Sequence, residues 1–589
     1  MKKIVYISLF TLSLAGGMTS CDLEAPTKSS MDASAIFSMT ELAETAVMGI
    51  HQSFGETNSY RGRFLPYYGM NTDLEWINGM DATKYPDGGK YDLAWYAASP
   101  TNSQMNTDNN AYAKFYEGIE RANQAIAGMR AYGDIKGNPD HAQLLGELLA
   151  LRSVIYLDLV KAWGDVPARF QPITSETLYL PRADRDSIYK HLLADLEEAS
   201  TLVAWPNATS MTSSVERVSK AFTKALRARV ALYAGGYSQR ADGVRLSTDP
   251  ELERTKMYTI AKNECLDIIN QGCNQLGEFK DNFLNLCKDK TTAGLESIWE
   301  IPFSAGRGRV LYTFGVKHNE KDQYTGQAQG GVNGPIPTLF YDYDIEDIRR
   351  DITCVPYDWS KEAKSKQQLR GLSKWCFGKL RYEWMDRIVT STNDDGINWQ
   401  YMRYADVYLM AAEAINELDG PAAAAQYLKP ILDRALPAAK VTAYMDAATA
   451  SKSAFFDAIV EQRGFEFAGE MLRKADLIRW NMLGDKLEET KAKMIQLRNR
   501  EGAYADLPEK LYYKTADDGE TLIIYGLNHG DTDAAGAALE GYENTTWIGE
   551  SKLADKTIDA LYQQDPDENQ YWPIWQTFID SSNGMLSNE

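Results

Sequence analysis

LLGELLALRSVIYLDLVKAWGDVPARF, Leu144 to Phe170, reads as a long apolar helix that stops abruptly at Trp-Gly-Asp-Val-Pro. Leu144, Leu148, Leu151, Ile155, Leu159 and Ala162 recur in steps of three or four, so they share one helical face. Leu145, Leu149, Tyr156, Val160 and Trp163 make a second face nearly as apolar. A helix apolar on two sides has to be sandwiched between neighbours, as in an array of stacked helices. Gly164 releases the chain, and Pro167 holds Val166 extended, so the stop is sharp.

Outward from this helix the same period recurs. Ser38 and Glu41 read as a capping box for a first helix carrying Ala43, Val47, Ile50 and Phe54 on one face. Further helices are expected over Tyr112 to Met129, Ser187 to Val203, Ser219 to Ala234, and Tyr258 to Asn270 with Gly272 as its stop. Later ones follow over Met402 to Leu418, Gly420 to Leu436, Ser453 to Trp480 and Lys486 to Arg500. Three long irregular regions separate them: Asn58 to Asn110, Leu276 to Trp399 and Ala503 to Gln570. The second holds a short strand, Ser297 to Phe303. The third holds a hairpin, Lys510 to Lys514 with Thr521 to Tyr525, around Asp517-Asp518-Gly519. The expected class is mainly α, a tetratricopeptide-like helical-repeat scaffold with long irregular loops and a few short strands, although no clean 34-residue period emerges. Loops this long in a compact body tend to carry function.

The N-terminus reads as an export signal. Lys2 and Lys3 precede an apolar run from Ile4 to Ala15, then small residues and Cys21. That run is too short for a permanent span. Met18-Thr19-Ser20-Cys21 has the pattern of a lipobox, with Cys21 acylated and becoming the mature N-terminus. The expected layout is a signal peptide over 1–20, a lipid-anchored tether over 21–30 and a single body over 31–589, in parts of about 31–275 and 276–589. Without residues 1–20, the 62 basic residues become 60 against 82 acidic ones, a net charge of about −22. Such a surface repels phosphate backbones and argues against nucleic acids and anionic substrates. Cys265, Cys273, Cys287, Cys354 and Cys376 form no C-x-x-C pair, and His51, His141, His191, His318 and His529 are scattered, so no metal or redox motif is supported.

Several stretches together resemble the SusD/RagB family of outer-membrane nutrient-binding lipoproteins. ALRSVIYLDLVKAWGDVPARF (Ala150 to Phe170) is one, and RYADVYLMAAEAINELDG (Arg403 to Gly420) is another. EQRGFEFAGEMLRKADLIRW (Glu461 to Trp480) is similar to the family's Glu-Arg-x-x-Glu-x-x-x-Glu-x-x-Arg-x-x-Asp-Leu-x-Arg-Trp helix. Arg463, Glu466, Glu470, Arg473, Asp476, Leu477, Arg479 and Trp480 match it, while Gln462 replaces a Glu and Met471 stands where Gly is common. Ala221 to Gly235, Glu296 to Phe303, Pro573-Ile574 and Asn583 through Leu586 extend the likeness, with Trp575 where a second Pro is usual.

The charged residues of 461–480 fall three or four apart and predict an alternating ion-pair ladder along one stripe; Arg403 and Glu413 read the same way. Carboxylates held by arginines stay ionised, which suits structure better than general-acid catalysis. The resemblance implies a non-catalytic protein with no cofactor. It would be lipid-anchored at the outer membrane facing outside, dock lid-fashion on a SusC-like TonB-dependent transporter and hand over an oligosaccharide. Two other readings stand beside it. One is a peptide-binding RagB-like member. The other is a helical-scaffold glycoside hydrolase, which needs two carboxylates roughly 5–10 Å apart that no motif here marks.

Sugars offer apolar C–H faces ringed by hydroxyls, so aromatic platforms with polar neighbours are the residues to seek. In the first long loop Trp76, Trp95 and Tyr96 are the candidate platforms, with Asp73 and Asn102 as polar partners. The segment YDLAWYAASPTN, Tyr91 to Asn102, matches the stretch that gives the family an aromatic face in its glycan site. Tyr312, Tyr357 and Trp359 would complete the site from the second loop. For each ring the competing role is a core plug or a contact to the transporter.

Overall fold

The computed structural model describes residues 32–304, 306–393 and 395–588. The signal peptide, Cys21 and the tether lie outside the described residues. The fold is mainly helical, 48% helix against 10% strand, as the periodicity predicts.

Eleven helices carry the architecture: α1 (Thr40–Gly55), α2 (Ala111–Tyr132), α3 (Pro139–Trp163), α4 (Arg185–Leu202), α5 (Lys220–Ala234), α6 (Arg254–Gln271), α7 (Tyr404–Asp419), α8 (Pro421–Asp433), α9 (Lys452–Phe467), α10 (Arg473–Arg479) and α11 (Leu483–Asn499). Neighbours in sequence pack on one another from α1 through α6, and α6 then packs directly on α7 across the long insertion between them. Helix α3 is buried from Leu144 to Trp163 because α1, α2, α4 and α5 surround it. Asn138 caps it by accepting the Asp140 N–H, and Gly164 ends it at φ +69, where a Cβ would lie 2.9 Å from the Arg185 guanidinium. Buried side chains from Phe37 to Trp575 form one continuous core.

Three local expectations are corrected. The capping box at Ser38 is absent: Ser38 closes a short helix, Ala33–Ser38, and α1 starts after Met39 without a side-chain cap. The expected helix over Ser453 to Trp480 is broken into α9 and α10, because Gly469 and Met471 adopt φ +83 and +61, outside the helical region. Helices at Phe279–Cys287 and Ala438–Ala448 fall in stretches where none was expected.

Seven of the strands bear on the long loops: β1 (Glu75–Ile77), β2 (Ser297–Ile301), β3 (Asn333–Pro335), β4 (Trp399–Arg403), β5 (Lys510–Thr515), β6 (Leu522–Tyr525) and β7 (Glu543–Thr546). β2 pairs antiparallel with β4, tying the start of the insertion to its end. β1 pairs antiparallel with β3, with Trp76 opposite Gly334, so the first two long loops are joined edge to edge. The expected hairpin is β5–β6, to which β7 adds a third strand.

The charged stripe of 461–480 is not a ladder along its own helix. Its members reach other segments and are buried. Arg463 pairs with Asp406 of α7 at 2.6 Å and with Asp476 at 2.7 Å. Glu466 receives Arg403 at 2.6 Å and Arg349 at 3.1 Å, with Arg434 also against it. Glu470 meets Arg403 at 2.8 Å and Lys379 at 2.6 Å, and Arg479 grips Glu413. Burial opposes the charge on Glu466, but Arg434, Arg403 and Arg349 outweigh it and hold the carboxyl far below the usual range. These groups fasten α7, α9, α10 and the insertion together.

Candidate functional site

The chain leaving α1 makes a tight turn in which the Ser59 carbonyl accepts the N–H groups of Arg63 and Phe64, both at 3.1 Å. Tyr60, Phe64 and Tyr68, spaced four apart, face inward, and the Tyr60 hydroxyl donates to Asp158 at 2.5 Å. The same spacing leaves Arg61, Arg63 and Tyr67 partly exposed, with Arg61 Nε and Nη1 shielded from solvent. Arg61 donates to Thr57 Oγ1 at 2.9 Å and Arg63 to Asn58 at 3.1 Å and to Gln104.

The second loop presents a matching edge. After β2 the chain runs through Arg307 and Arg309 into the short helix Val310–Phe314, whose Val310, Leu311 and Phe314 are buried while Tyr312 is partly exposed. Buried Asp395 fixes this loop by accepting the N–H of Leu311 at 2.9 Å and of Ile397 at 3.3 Å. Gly308 sits at φ +102, and a Cβ there would lie 2.6 Å from Asp395 Oδ1, so only glycine lets the loop close over that carboxyl. Burial pushes Asp395 up to about 7, against the N–H groups that favour its charge. The Arg309 guanidinium lies 4.4 Å from the centroid of the Tyr312 ring.

The two edges share one electrostatic environment. Burial raises the Tyr67 hydroxyl above its ordinary range, while the charges of Lys90, Arg63 and Arg309 pull it back. Arg61 is held below its usual value by burial first and by Arg307 next. The surface therefore joins two partly exposed tyrosine faces with four arginines and Lys90. Its chemistry is ring stacking plus hydrogen-bond donation.

Of the residues named from sequence, Tyr312 belongs to this surface. Tyr357 is partly exposed elsewhere, its hydroxyl accepting from Arg381 at 2.6 Å. The others are corrected to interior roles. Trp95 is fully buried, and its indole N–H donates to the Ala560 carbonyl at 2.6 Å. Trp76 is buried within β1. Tyr96 is buried with its hydroxyl on the Asn71 carbonyl at 2.7 Å and Lys474 4.4 Å from its ring. Asn102 is buried, donating to the Gly89 carbonyl at 2.8 Å. Asp73 is clamped by Arg473 at 2.6 and 2.8 Å, and Trp359 stacks on buried His318 with ring centres 5.5 Å apart.

The physical reason is the return of the C-terminal segment over the first loop. Gln563 N–H donates to the Trp95 carbonyl at 3.0 Å, Trp572 Nε1 to the Leu93 carbonyl at 2.9 Å, and Gln576 N–H to the Pro100 carbonyl at 2.9 Å. Asp73 also lines a cavity of about 330 Å³ with Asp342, Glu461, Arg473, Lys486 and Lys493. Within it Arg473 pairs with Asp73 and Lys493 with Asp342, and Phe465 is its aromatic lining.

Sequence reasoning missed Arg61, Arg63, Tyr67, Lys90, Arg307 and Arg309. A signal was present: Arg61-Gly-Arg63 and Arg307-Gly-Arg309 are the same triplet, followed by a tyrosine four and three residues on.

Known proteins resemble this chain in sequence and in fold. A family model described as "SusD family" matches residues 359–589, and one described as "Starch-binding associating with outer membrane" matches residues 89–232. SusD-like protein P25 of Formosa agariphila is 24% identical over 493 residues, covering 75% of this chain and 83% of that protein. SusD-like protein P38 of the same organism is 25% identical, covering 82% and 92%. Among solved structures, a SusD homolog from Bacteroides thetaiotaomicron superposes with a TM-score of 0.69 at 17% identity, over 94% of this chain and 97% of that one. Surface glycan-binding protein A from Bacteroides thetaiotaomicron in complex with laminarihexaose gives 0.61 at 18% identity, over 93% and 99%.

Proposed function

This chain is a SusD-like family protein, and from that premise we propose that it is a non-catalytic glycan-binding lipoprotein of the cell surface. It is anchored through Cys21 to the outer membrane and delivers an oligosaccharide to a SusC-like TonB-dependent transporter. The observation that carries the binding role is the junction of the first two long loops, where partly exposed Tyr67 and Tyr312 lie among Arg63, Arg309 and Lys90. Sugar rings need such apolar faces flanked by donors. Relatives support the ligand class: the B. thetaiotaomicron glycan-binding protein of the same fold is described in complex with laminarihexaose.

Calorimetry against a glycan panel and a peptide panel tests this reading. Tyr312→Ala is expected to weaken glycan binding about tenfold, since stacking contributes roughly 0.5–1.5 kcal/mol beyond buried area, with the melting temperature unchanged. Peptide binding with no glycan binding would move the chain to the peptide-binding branch. Release of reducing ends from a bound glycan would move it to the hydrolases. Cys21→Ala is expected to release the protein from membranes; a variant that stays membrane-bound removes the anchor.

A further inference from the structure

The cations of this surface lack the partners that the rest of the molecule supplies. Among the described residues no carboxylate oxygen lies within 4.0 Å of Arg61, Arg63, Arg307, Arg309 or Lys90, in a chain of 82 acidic and 62 basic residues. By contrast Arg229, Arg349, Arg403, Arg463, Arg473 and Arg479 are each closed by a carboxylate. The supports of the surface group are neutral: Thr57 for Arg61, Asn58 and Gln104 for Arg63, and the Tyr312 ring for Arg309. Arg61 Nε and Nη1 have no hydrogen-bond partner at all, although both atoms are shielded from solvent. At Arg61 burial and the like charges of Arg307 and Arg309 outweigh the attraction of Glu56 and Asp395, and an orphaned donor costs free energy. Exposed Arg307 and partly exposed Arg309 have no carboxylate partner to occupy their planar forks, and a guanidinium fork meets a carboxylate or sulfate with two parallel hydrogen bonds.

We propose, on the footing of the glycan-binding reading above, that the ligand is an acidic oligosaccharide whose carboxylate or sulfate groups are received by the paired Arg-Gly-Arg loops while Tyr67 and Tyr312 support its rings. The overall charge of the protein does not oppose this. Screening confines an exposed charge to about 8 Å at physiological ionic strength, so the local cluster governs the approach of the ligand at close range. The acidic remainder of the surface repels polyanions elsewhere and thereby confines them to this patch.

The test uses matched pairs: an oligouronate with its carboxyl-reduced counterpart, and a sulfated oligosaccharide with its desulfated counterpart. Both pairs are titrated into the wild type, Arg307→Gln, Arg309→Gln and Tyr312→Ala. At least one acidic member is expected to bind about tenfold or more tightly than its neutral twin, with the preference falling as salt rises and lost in either arginine variant. Which pair shows the preference separates carboxylate from sulfate. Neutral members binding as tightly as acidic ones, with both arginine variants unaffected, would overturn the acidic ligand and leave the glycan reading standing. No binding by any of the four would bring down both. Binding to lipopolysaccharide vesicles that survives Tyr312→Ala would assign the cluster to the membrane surface and overturn the proposal.

Discussion

The buried arginines around Glu466 and the surface arginines around Tyr312 are the same residue in opposite states. At Glu466 three guanidinia converge on one carboxylate, and Glu296, Glu470 and Asp347 complete the charge balance. Nothing is left over for a ligand. At Tyr312 the guanidinia are steadied by amides, a hydroxyl and a ring, and the charge stays open. The difference separates a fastening from a receptor, and the distinguishing feature is the partner rather than the arginine.

The sharpest way to break this comparison is to remove one charge from the closed cluster. Glu466→Gln is expected to destabilise the protein by about 3–5 kcal/mol in denaturant titrations, because it leaves buried guanidinia uncompensated. The folded state holds this carboxyl below its unfolded value, so its contribution is full above about pH 5 and lost as pH falls further. The gap between variant and wild type should therefore shrink in acid. A gap independent of pH would contradict the charge argument.

Trp95→Ala is expected to cost about 3–5 kcal/mol as well, as a core truncation. A stable variant with weakened glycan binding would return Trp95 to the ligand surface.

Glu75 sharpens the comparison from within the core, being buried with no cation within 4.0 Å among the described residues. Burial pushes its carboxyl up to about 8, although the Gly469 N–H bonds to it at 2.6 Å. Between about pH 4 and 8 the folded protein keeps a proton that the unfolded chain has released, so stability falls as pH rises through that window. Glu75→Gln is expected to be neutral below pH 4 and stabilising by about 1–3 kcal/mol at pH 8, read as melting temperature against pH.

The smallest expected effect is Arg307→Gln on stability, within about 0.5 kcal/mol of wild type, since this side chain is exposed and unpaired. A large loss would place Arg307 in the scaffold.

The scaffold was readable because its instructions are local. The two apolar faces of 144–163, the cap at Ser219 and the αL stop at Gly272 each lie within the helix they define. The site resisted reading because its decisive contacts are distant. Whether Trp95 faces solvent depends on Ala560, and whether Trp76 does depends on the strand at 333–335. Seeking aromatics with polar neighbours in the first loop favoured Trp76, Trp95 and Tyr96, which the core had taken, over Tyr67 beside Arg61 and Arg63. The break between α9 and α10 left only a faint trace, Gly469 and a Met471 that stands where Gly is common, both at positive φ.

The return of residues 560–576 over the first loop also sets an order in time. Trp95 waits for a carbonyl 465 positions downstream, and Trp163 for the rings of Trp572 and Trp575. Until the ribosome has delivered that segment, a patch of indole and leucine near the head of the chain stays uncovered. A polypeptide interrupted before residue 560 would therefore expose the kind of surface that proteases and holdase chaperones recognise, while the finished one conceals it.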